Sequence, residues 1–436
     1  MSISVLGSPP GARARTRGPA SPAARAAASS APRVALLGCG TVGSALVRLL
    51  DAADSPPVRL AAALVRDARR QRALPPSVPL VSDSEAVFAA RPAVLVEVLG
   101  GTAPARELVL RALEGGTPVV TANKTLLARH GRELREAAAR SGAPLLYEAA
   151  VIAGVPFLGA FARRPLAAAA TGLSAIVNGT TNFVLTACAD DGRTVAEALA
   201  SAQALGYAEP DPHNDVAGID AAEKLAVLLQ HFAHLDVSPD AIETEGIGSL
   251  DPETCADARA LGGCIKPVVH ADWSGRLEAF VAPAFVPDGH PLAAVAGVEN
   301  ALILETPRGR LLFQGPGAGP DATAATVLDD VAEVIAGAGW PIETLPTAAA
   351  PAAPDTGWMV TLTAPRLPRP ASLADLFASY GVYTQRVAPV SRRGPAERLA
   401  FLTSPVDRRR LEAALRAARQ ACGCASAHRR ALEASR

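Results

Sequence analysis

From residue 33 to residue 150 the chain alternates between two textures. Short apolar runs of strand length end in a Gly- or Pro-containing break, and each is followed by a segment whose apolar positions recur every three or four residues. Arg33–Leu37 leads into the helix-periodic stretch that ends at Leu50. Val58–Val65 is a second strand. Ala93–Leu99 ends in Gly100-Gly101-Thr102 and precedes a helix over Ala105–Glu114. Pro118–Thr121 precedes a helix over Thr125–Ser141, and Pro144–Tyr147 closes the series. Strands that are apolar on both faces and separated by helices predict an α/β fold with a Rossmann-type doubly wound parallel sheet over Pro32 to Ala150.

Beyond Glu148 the pattern breaks. The segment 149–156 is small and apolar with a Gly and a Pro, which predicts a loop lining a cavity. Ala175–Val177 is a strand running into Asn178-Gly-Thr-Thr-Asn182 and a helix, where the amides and hydroxyls serve as a helix cap or hold a polar ligand. Leu277–Val286 and Asn300–Glu305 read as strands. The Pro- and Ala-rich stretch 341–355 reads as a linker. After it come a strand at Trp358–Thr363, a helix at Ala371–Tyr380, strands at Tyr383–Pro389 and Arg398–Thr403, a helix at Val406–Cys422 and a polar tail.

Composition narrows the partners. A chain of 436 residues, 49% of them hydrophobic, can bury the cores of roughly two or three domains. Its 42 basic and 42 acidic side chains balance, so neither nucleic acid nor an anionic membrane is expected as a partner. No run approaches the length of a bilayer span. Six scattered cysteines without zinc-ligand spacing fit a reduced, cytoplasmic protein. Residues 1–31 hold no acidic residue and no secretory apolar segment; a transit peptide or a start codon assigned too early fits the composition as well as a disordered tail, which is the reading favoured.

Candidate chemistry sits at two places. Gly38-Cys-Gly40-Thr41-Val42-Gly43 lies between strand and helix, as a dinucleotide loop must: Gly38 for the turn, Gly40 for approach of the pyrophosphate, Gly43 for helix-on-strand packing. Where NAD-preferring sites carry an acidic residue this chain has Arg66, which suits a 2′-phosphate. Lys124 falls at the carboxyl end of a strand, where such sheets bind ligands. The second place is Gly206–Lys224. It packs Glu209, Asp211, Asp215, Asp220 and Lys224 just ahead of an apolar helix. Asp220 and Lys224 share a helix face, and Leu225, Leu228, Leu229 and Phe232 form its core stripe, with Lys224 at the stripe's edge. Taken alone, that pair is an ordinary helix-opening salt bridge.

The motifs GCGTVG, EVLGGTAPA, TANK, YEAAVIAGVPF, IVNGTTNFVLT and AQALGYAEPDPHNDVAGIDAAEKLAVL together resemble homoserine dehydrogenase, and the likeness runs on through VPDGHPLAAVAGVENA and GPGAGPDATAATVLDD. It covers Arg33 to Gly339. The resemblance implies reversible NAD(P)H-dependent reduction of L-aspartate 4-semialdehyde to L-homoserine, in the branch that leads to threonine, methionine and isoleucine. With no kinase-like segment ahead of residue 33, a monofunctional form is expected. Two readings compete: a nucleotide-binding regulatory homologue without turnover, and a dehydrogenase of another small amino aldehyde.

The resemblance also implies roles. Lys224 becomes the proton donor to the carbonyl oxygen, Asp220 the group that aims it, and Lys124 a lysine near nicotinamide and substrate. Glu209 and Asp215 take the substrate's ammonium. Gly38, Gly40, Thr41, Val42, Gly43, Arg66, Thr102, Lys124 and Gly317 hold the cofactor, with NADP expected and NAD as the alternative. Backbone carbonyls of Glu148, Val151, Ala153 and Val155 would hold a monovalent cation. Ile152 stands where the family commonly has Gly, so the loop must differ if that site requires a glycine dihedral. The implied organisation is a nucleotide domain from 32–150 plus 306–340, an α+β substrate and dimerisation domain over 151–305, the linker, and an ACT-like βαββα region with its tail over 356–436. A homodimer or homotetramer is expected. Arg366-Leu-Pro-Arg-Pro370 departs from the loop by which ACT domains bind amino acids.

Overall fold

The computed structural model describes residues 31–433 except 52–56, 71, 73, 76, 163–168, 341 and 343. Nearly all of the expected N-terminal tail lies outside the described residues, as does part of the expected linker. Its first sheet is built from the alternating half of the chain: β1 (Arg33–Leu37), β2 (Arg59–Leu64), β3 (Leu80–Val81), β4 (Val94–Glu97), β5 (Val119–Thr121) and β6 (Leu145–Leu146). All neighbours pair in parallel, in the order β3-β2-β1-β4-β5-β6. The order reverses between β1 and β4, and such a reversal opens a crevice at the carboxyl ends of the strands. Every residue of β4 and β5 is buried, because helices cover both faces and no side of the strand meets water.

The second sheet is antiparallel at its centre. It runs β12 (Gly309–Pro316), β11 (Glu299–Thr306), β7 (Gly172–Ile176), β9 (Gly263–Asp272) and β10 (Glu278–Pro287), and β8 (Glu243–Thr244) pairs with β10. The helix Gly179–Asp191 follows β7, and the helix Ile219–Leu228 passes under the sheet to pack against the helix Lys124–Ser141 of the first half. The stripe residues Leu225, Leu228, Leu229 and Phe232 are buried, and so are Ala226 and Val227, which makes this helix interior on nearly every side. It continues as a π-type turn over Leu229–Ala233.

Two expectations need correction. Residues 306–340 do not return whole to the nucleotide half: β12 stays with the second sheet, paired residue by residue with β11, and only the helix Pro320–Ile335 packs on the helix Thr41–Leu50. Likewise the stretch after Cys422 is no tail. β17 (Ala425–Ala431) inserts between β10 and β13 (Gly357–Ala364), followed in the sheet by β16 (Ala396–Thr403) and β14 (Thr384–Val387). With β15 (Ser391–Arg393), which pairs with β16, the C-terminal region is βαβββαβ with β17 and β13 adjacent, and it extends the second sheet to eleven strands. Arg430, buried on β17, pairs with Glu243 at 2.6 Å and lies over the rings of Phe280 and Trp358. Those partners make a strand out of a polar sequence.

Candidate active site

The nucleotide loop is shaped by three glycines with three different reasons. Gly38 has φ of +99°, and a Cβ there would come within 2.9 Å of the Val98 carbonyl. A Cβ on Gly43 would strike the Gly38 carbonyl at 2.3 Å, so the helix can lie this close to the strand only without one. Gly40 faces open space, the side from which a pyrophosphate can approach. The helix Thr41–Leu50 has no side-chain cap and no acidic residue in its first turn, which leaves its N–H groups and positive dipole end for an anion.

Two cavities meet along Val98 and Leu99. One, of about 430 Å³, is lined by Gly38 and Gly40 together with Arg66, Asp67, Arg70 and Arg72. The Asp67 carboxylate accepts from the Arg69 backbone N–H at 2.8 Å, so it is engaged locally. The other, of about 490 Å³, brings together Val42, Lys124 and Ile152 from the first half of the chain with Glu209, Lys224 and Gly317 from beyond it. Thr41 and Thr102 stand at helix N-termini beside these cavities without lining either.

Asp220 is the centre of the charge network. Its two oxygens each hold a lysine, Lys124 at 3.1 Å and Lys224 at 2.9 Å. Burial alone would push this carboxyl up. The two ammonium groups outweigh burial and hold it well below the usual carboxylate range. Asp220 in turn is the largest reason that the Lys124 ammonium is raised above its ordinary value. Lys224 also donates to the Val177 carbonyl at 2.7 Å. With two acceptors fixed and its side chain 11% exposed, the ammonium has one remaining N–H for the cavity.

Asp215 is brought to the same cluster, half-buried, with its pKa raised mainly by burial and further by the nearby Asp220 charge. Glu209 is exposed on the cavity rim. The pair that reads from sequence as a helix salt bridge is present, but it continues into a chain linking the two halves of the molecule.

The sequence reading offers Asn178 only as a cap or a ligand contact, and gives Glu97 and Asn123 no role in this site. Asn178 donates to both Asp215 and Asp220, at 2.7 and 2.8 Å. Glu97, fully buried at the end of β4, accepts from the Leu99 N–H, the Thr121 hydroxyl and the Asn123 amide, and Asn123 also donates to the Gly101 carbonyl. Burial raises the Glu97 carboxyl, and those donors work against it. Together they tie the loop after β4 to the end of β5, next to Lys124. The available signal was a polar residue closing an apolar strand and an asparagine opening a helix.

In the loop after β6, Ile152 takes φ of 51°, the left-handed conformation that glycine adopts most readily, although it is β-branched and 1% exposed. Neighbouring bonds hold it there, with Ala153 N donating to the Gly317 carbonyl at 3.0 Å and Val155 N to the Ile152 carbonyl at 2.9 Å. The Ala153 carbonyl accepts the Thr326 hydroxyl. Beside the loop, the buried Glu148 carboxylate takes the N–H groups of Phe157, Leu158 and Gly159, and Asp330, buried with its pKa raised by burial and by Glu148, accepts the Glu148 N–H.

Comparison with known proteins gives the family. A family model described as homoserine dehydrogenase matches residues 156–332, and one described as the homoserine dehydrogenase NAD binding domain matches 38–148. The homoserine dehydrogenase of Mycobacterium leprae is 42% identical over 319 residues, 68% of this chain and 71% of that protein. That of Synechocystis is 38% identical over 70% of this chain and 73% of its own length. Among solved structures, a homoserine dehydrogenase from Thiobacillus denitrificans superposes with a TM-score of 0.83 at 30% identity, covering 93% of this chain and 99% of its own. A hyperthermophilic archaeal homoserine dehydrogenase in complex with NADPH gives 0.59 at 25% identity, over 72% and 99%. This chain belongs to the homoserine dehydrogenase family, nicotinamide-dependent oxidoreductases that interconvert aspartate 4-semialdehyde and homoserine.

Proposed function

We propose that Lys224 is the proton donor in this reaction and that Asp220 and Lys124 position it. The observation that carries the assignment is the chain Lys124–Asp220–Lys224, whose ion pairs of 3.1 and 2.9 Å end in a cavity shared with the nucleotide loops. As hydride reaches the carbonyl carbon, the oxygen gathers negative charge, and an ammonium within reach both stabilises it and protonates it. Hydride itself comes from the nicotinamide, so the task of the protein is to set the carbonyl against the ring. Glu209 and Asp215 bind the substrate's ammonium. That requirement separates this substrate from simple aldehydes.

Arg66, Arg70 and Arg72 around the adenosine end of the groove favour NADP over NAD. A relative solved with NADPH fits that preference. The carbonyls of Glu148, Val151, Ala153 and Val155 are the donors for a monovalent cation. The fit rests on the left-handed turn at Ile152 and on the spare lone pair that a carbonyl such as Ala153 keeps after accepting one hydroxyl. Such a cation would neutralise charge beside Glu148 and Asp330.

We assign residues 32–150 and the helix Pro320–Ile335 to the nucleotide half, β7 through β12 to the substrate half, and Gly357–Ala431 to an ACT-like region. Leu311 and Leu312, exposed on the edge strand β12, suit a subunit contact, in keeping with a homodimer or homotetramer. Among the described residues no helix is long and apolar enough to cross a membrane.

The test is direct. Homoserine and NADP are mixed with the protein and reduced cofactor is followed by absorbance. Turnover that survives unchanged in Lys224→Ala sinks the assignment. A regulatory protein without chemistry would show none in either.

A further inference from the structure

We propose that Asn178 is a positioning residue for catalysis, a single carboxamide that locks the ammonium-binding carboxylate Asp215 and the lysine-aiming carboxylate Asp220 in one arrangement. The proposal rests on the site assignment above and adds a residue to it.

The amide is buried and saturated. Its Oδ1 accepts from the Thr181 N–H at 2.8 Å and from the Thr181 hydroxyl at 2.9 Å, capping the helix Gly179–Asp191. Its Nδ2 donates one hydrogen to Asp215 at 2.7 Å and the other to Asp220 at 2.8 Å. The orientation has no freedom, because a flipped amide would set its oxygen against two carboxylates and its nitrogen against two donors. Val177, the preceding residue, supplies the carbonyl that holds Lys224 at 2.7 Å. Two successive residues at the end of β7 therefore fix both carboxylates and the proton donor. A helix cap alone needs only the oxygen half of this side chain.

Placing two carboxylates on one donor has a consequence. The groups facing Asp215 are Asn178, Asp220, Lys224 and Lys124; Asp220 pushes its pKa up while Asn178 and the lysines pull it down. Loss of the Nδ2 donor leaves burial and repulsion less opposed, so Asp215 must be ionised at a higher pH before it can take an ammonium.

The experiment separates cap from lock. Asn178→Ser keeps an oxygen cap for the helix and removes the bridging nitrogen, and Asn178→Asp keeps the cap and adds a third negative charge. Expected for Asn178→Ser is a fall in kcat/KM for homoserine of roughly ten- to hundredfold, the scale of hydrogen bonds to charged groups. KM for NADP should stay within about twofold, and the acid limb of the kcat/KM profile should move to higher pH. Asn178→Asp should move the limb further. Thermal unfolding identifies folded variants, and Asn178→Thr is the alternative cap-keeping variant. Parent-like kcat/KM and an unmoved limb in a folded cap-keeping variant overturn the proposal. Asp215→Asn is measured alongside: if it leaves KM for homoserine unchanged, the site assignment fails instead.

Discussion

The left-handed isoleucine offers a test in which the sign of an effect, and not only its size, decides. Ile152 has φ of 51° and is 1% exposed, so it combines backbone strain with a well-buried side chain. Consider Ile152→Ala and then Ile152→Gly. The first step empties buried volume and should cost about 2–5 kcal/mol, less the part of the strain that came from β-branching. The second step removes the Cβ that clashes in the left-handed region, worth about 1–2 kcal/mol. It also frees the unfolded chain, which costs about 0.5–1 kcal/mol. The difference leaves the glycine variant as stable as the alanine variant, or more stable by up to about 1.5 kcal/mol. At an ordinary exposed helix position, such as Ala200 within Val195–Ala204, the same alanine-to-glycine step should destabilise by about 0.5–1 kcal/mol. Urea unfolding midpoints of the three variants and the parent, read by far-UV circular dichroism, supply the comparison. A glycine variant at 152 that loses stability as the helix control does would refute the strain argument and the left-handed turn with it.

Other expectations follow from the charge network. Lys224→Met should lower kcat roughly 10²- to 10⁴-fold while binding of NADPH, titrated by fluorescence, is unchanged; a normal kcat would remove Lys224 from the chemistry. Arg66→Ala should weaken NADP roughly tenfold or more and NAD far less, measured as kcat/KM for each cofactor, and equal losses would exclude a 2′-phosphate contact. Asp330 has a native pKa raised above the unfolded value, so the stability it contributes is present in acid and is lost as pH rises through the native pKa. Asp330→Asn should therefore be more stable than the parent at pH 8 and no more stable at pH 3, in unfolding experiments run in a buffer free of alkali cations. Adding potassium should close the gap at pH 8 if a cation sits beside Glu148 and Asp330.

The parallel sheet was legible because its signals are local. An apolar run, a glycine turn and a helical period fit within thirty residues, and each says the same thing. The charged stretch ending at Lys224 stood out by its charge density ahead of an apolar helix, but its spacing alone read as a salt bridge, and the expected roles came from the family resemblance. The missed features all depend on partners far along the chain. β17 has the sequence ASAHRRA, with no apolar alternation to mark a strand, and becomes one because Glu243, Phe280 and Trp358 receive Arg430. β12 carries two exposed leucines and a Gly-rich end, which resemble the approach to a nucleotide loop until its register with β11 is seen. Asn178 reads correctly as a cap, but the two acceptors of its nitrogen lie 37 and 42 residues away.

Charge counting in the proposed site explains why an amino aldehyde fits and a plain aldehyde should not. Lys124 and Lys224 are offset by Asp220, Asp215 and Glu209, which leaves one uncompensated negative charge. Asp220 already serves both lysines, so the excess falls on the Asp215 and Glu209 side, where burial and the Asp220 charge already raise the pKa of Asp215. A substrate that brings an ammonium sets that charge against Asp215 and Glu209, while its own carboxylate is met by the two lysines that share Asp220, so the zwitterion balances each side without changing the sum. A substrate without the amino group leaves the half-buried Asp215 with the Asn178 amide and no cation of its own, a cost that grows as the filled cavity excludes water. Discrimination of this kind comes from the cost of the unpaired group more than from the strength of the pair, and it should show in kcat/KM as a loss of orders of magnitude. It also predicts which mutation relaxes specificity: Asp215→Asn should lose activity on homoserine while gaining, relative to it, on the deaminated alcohol.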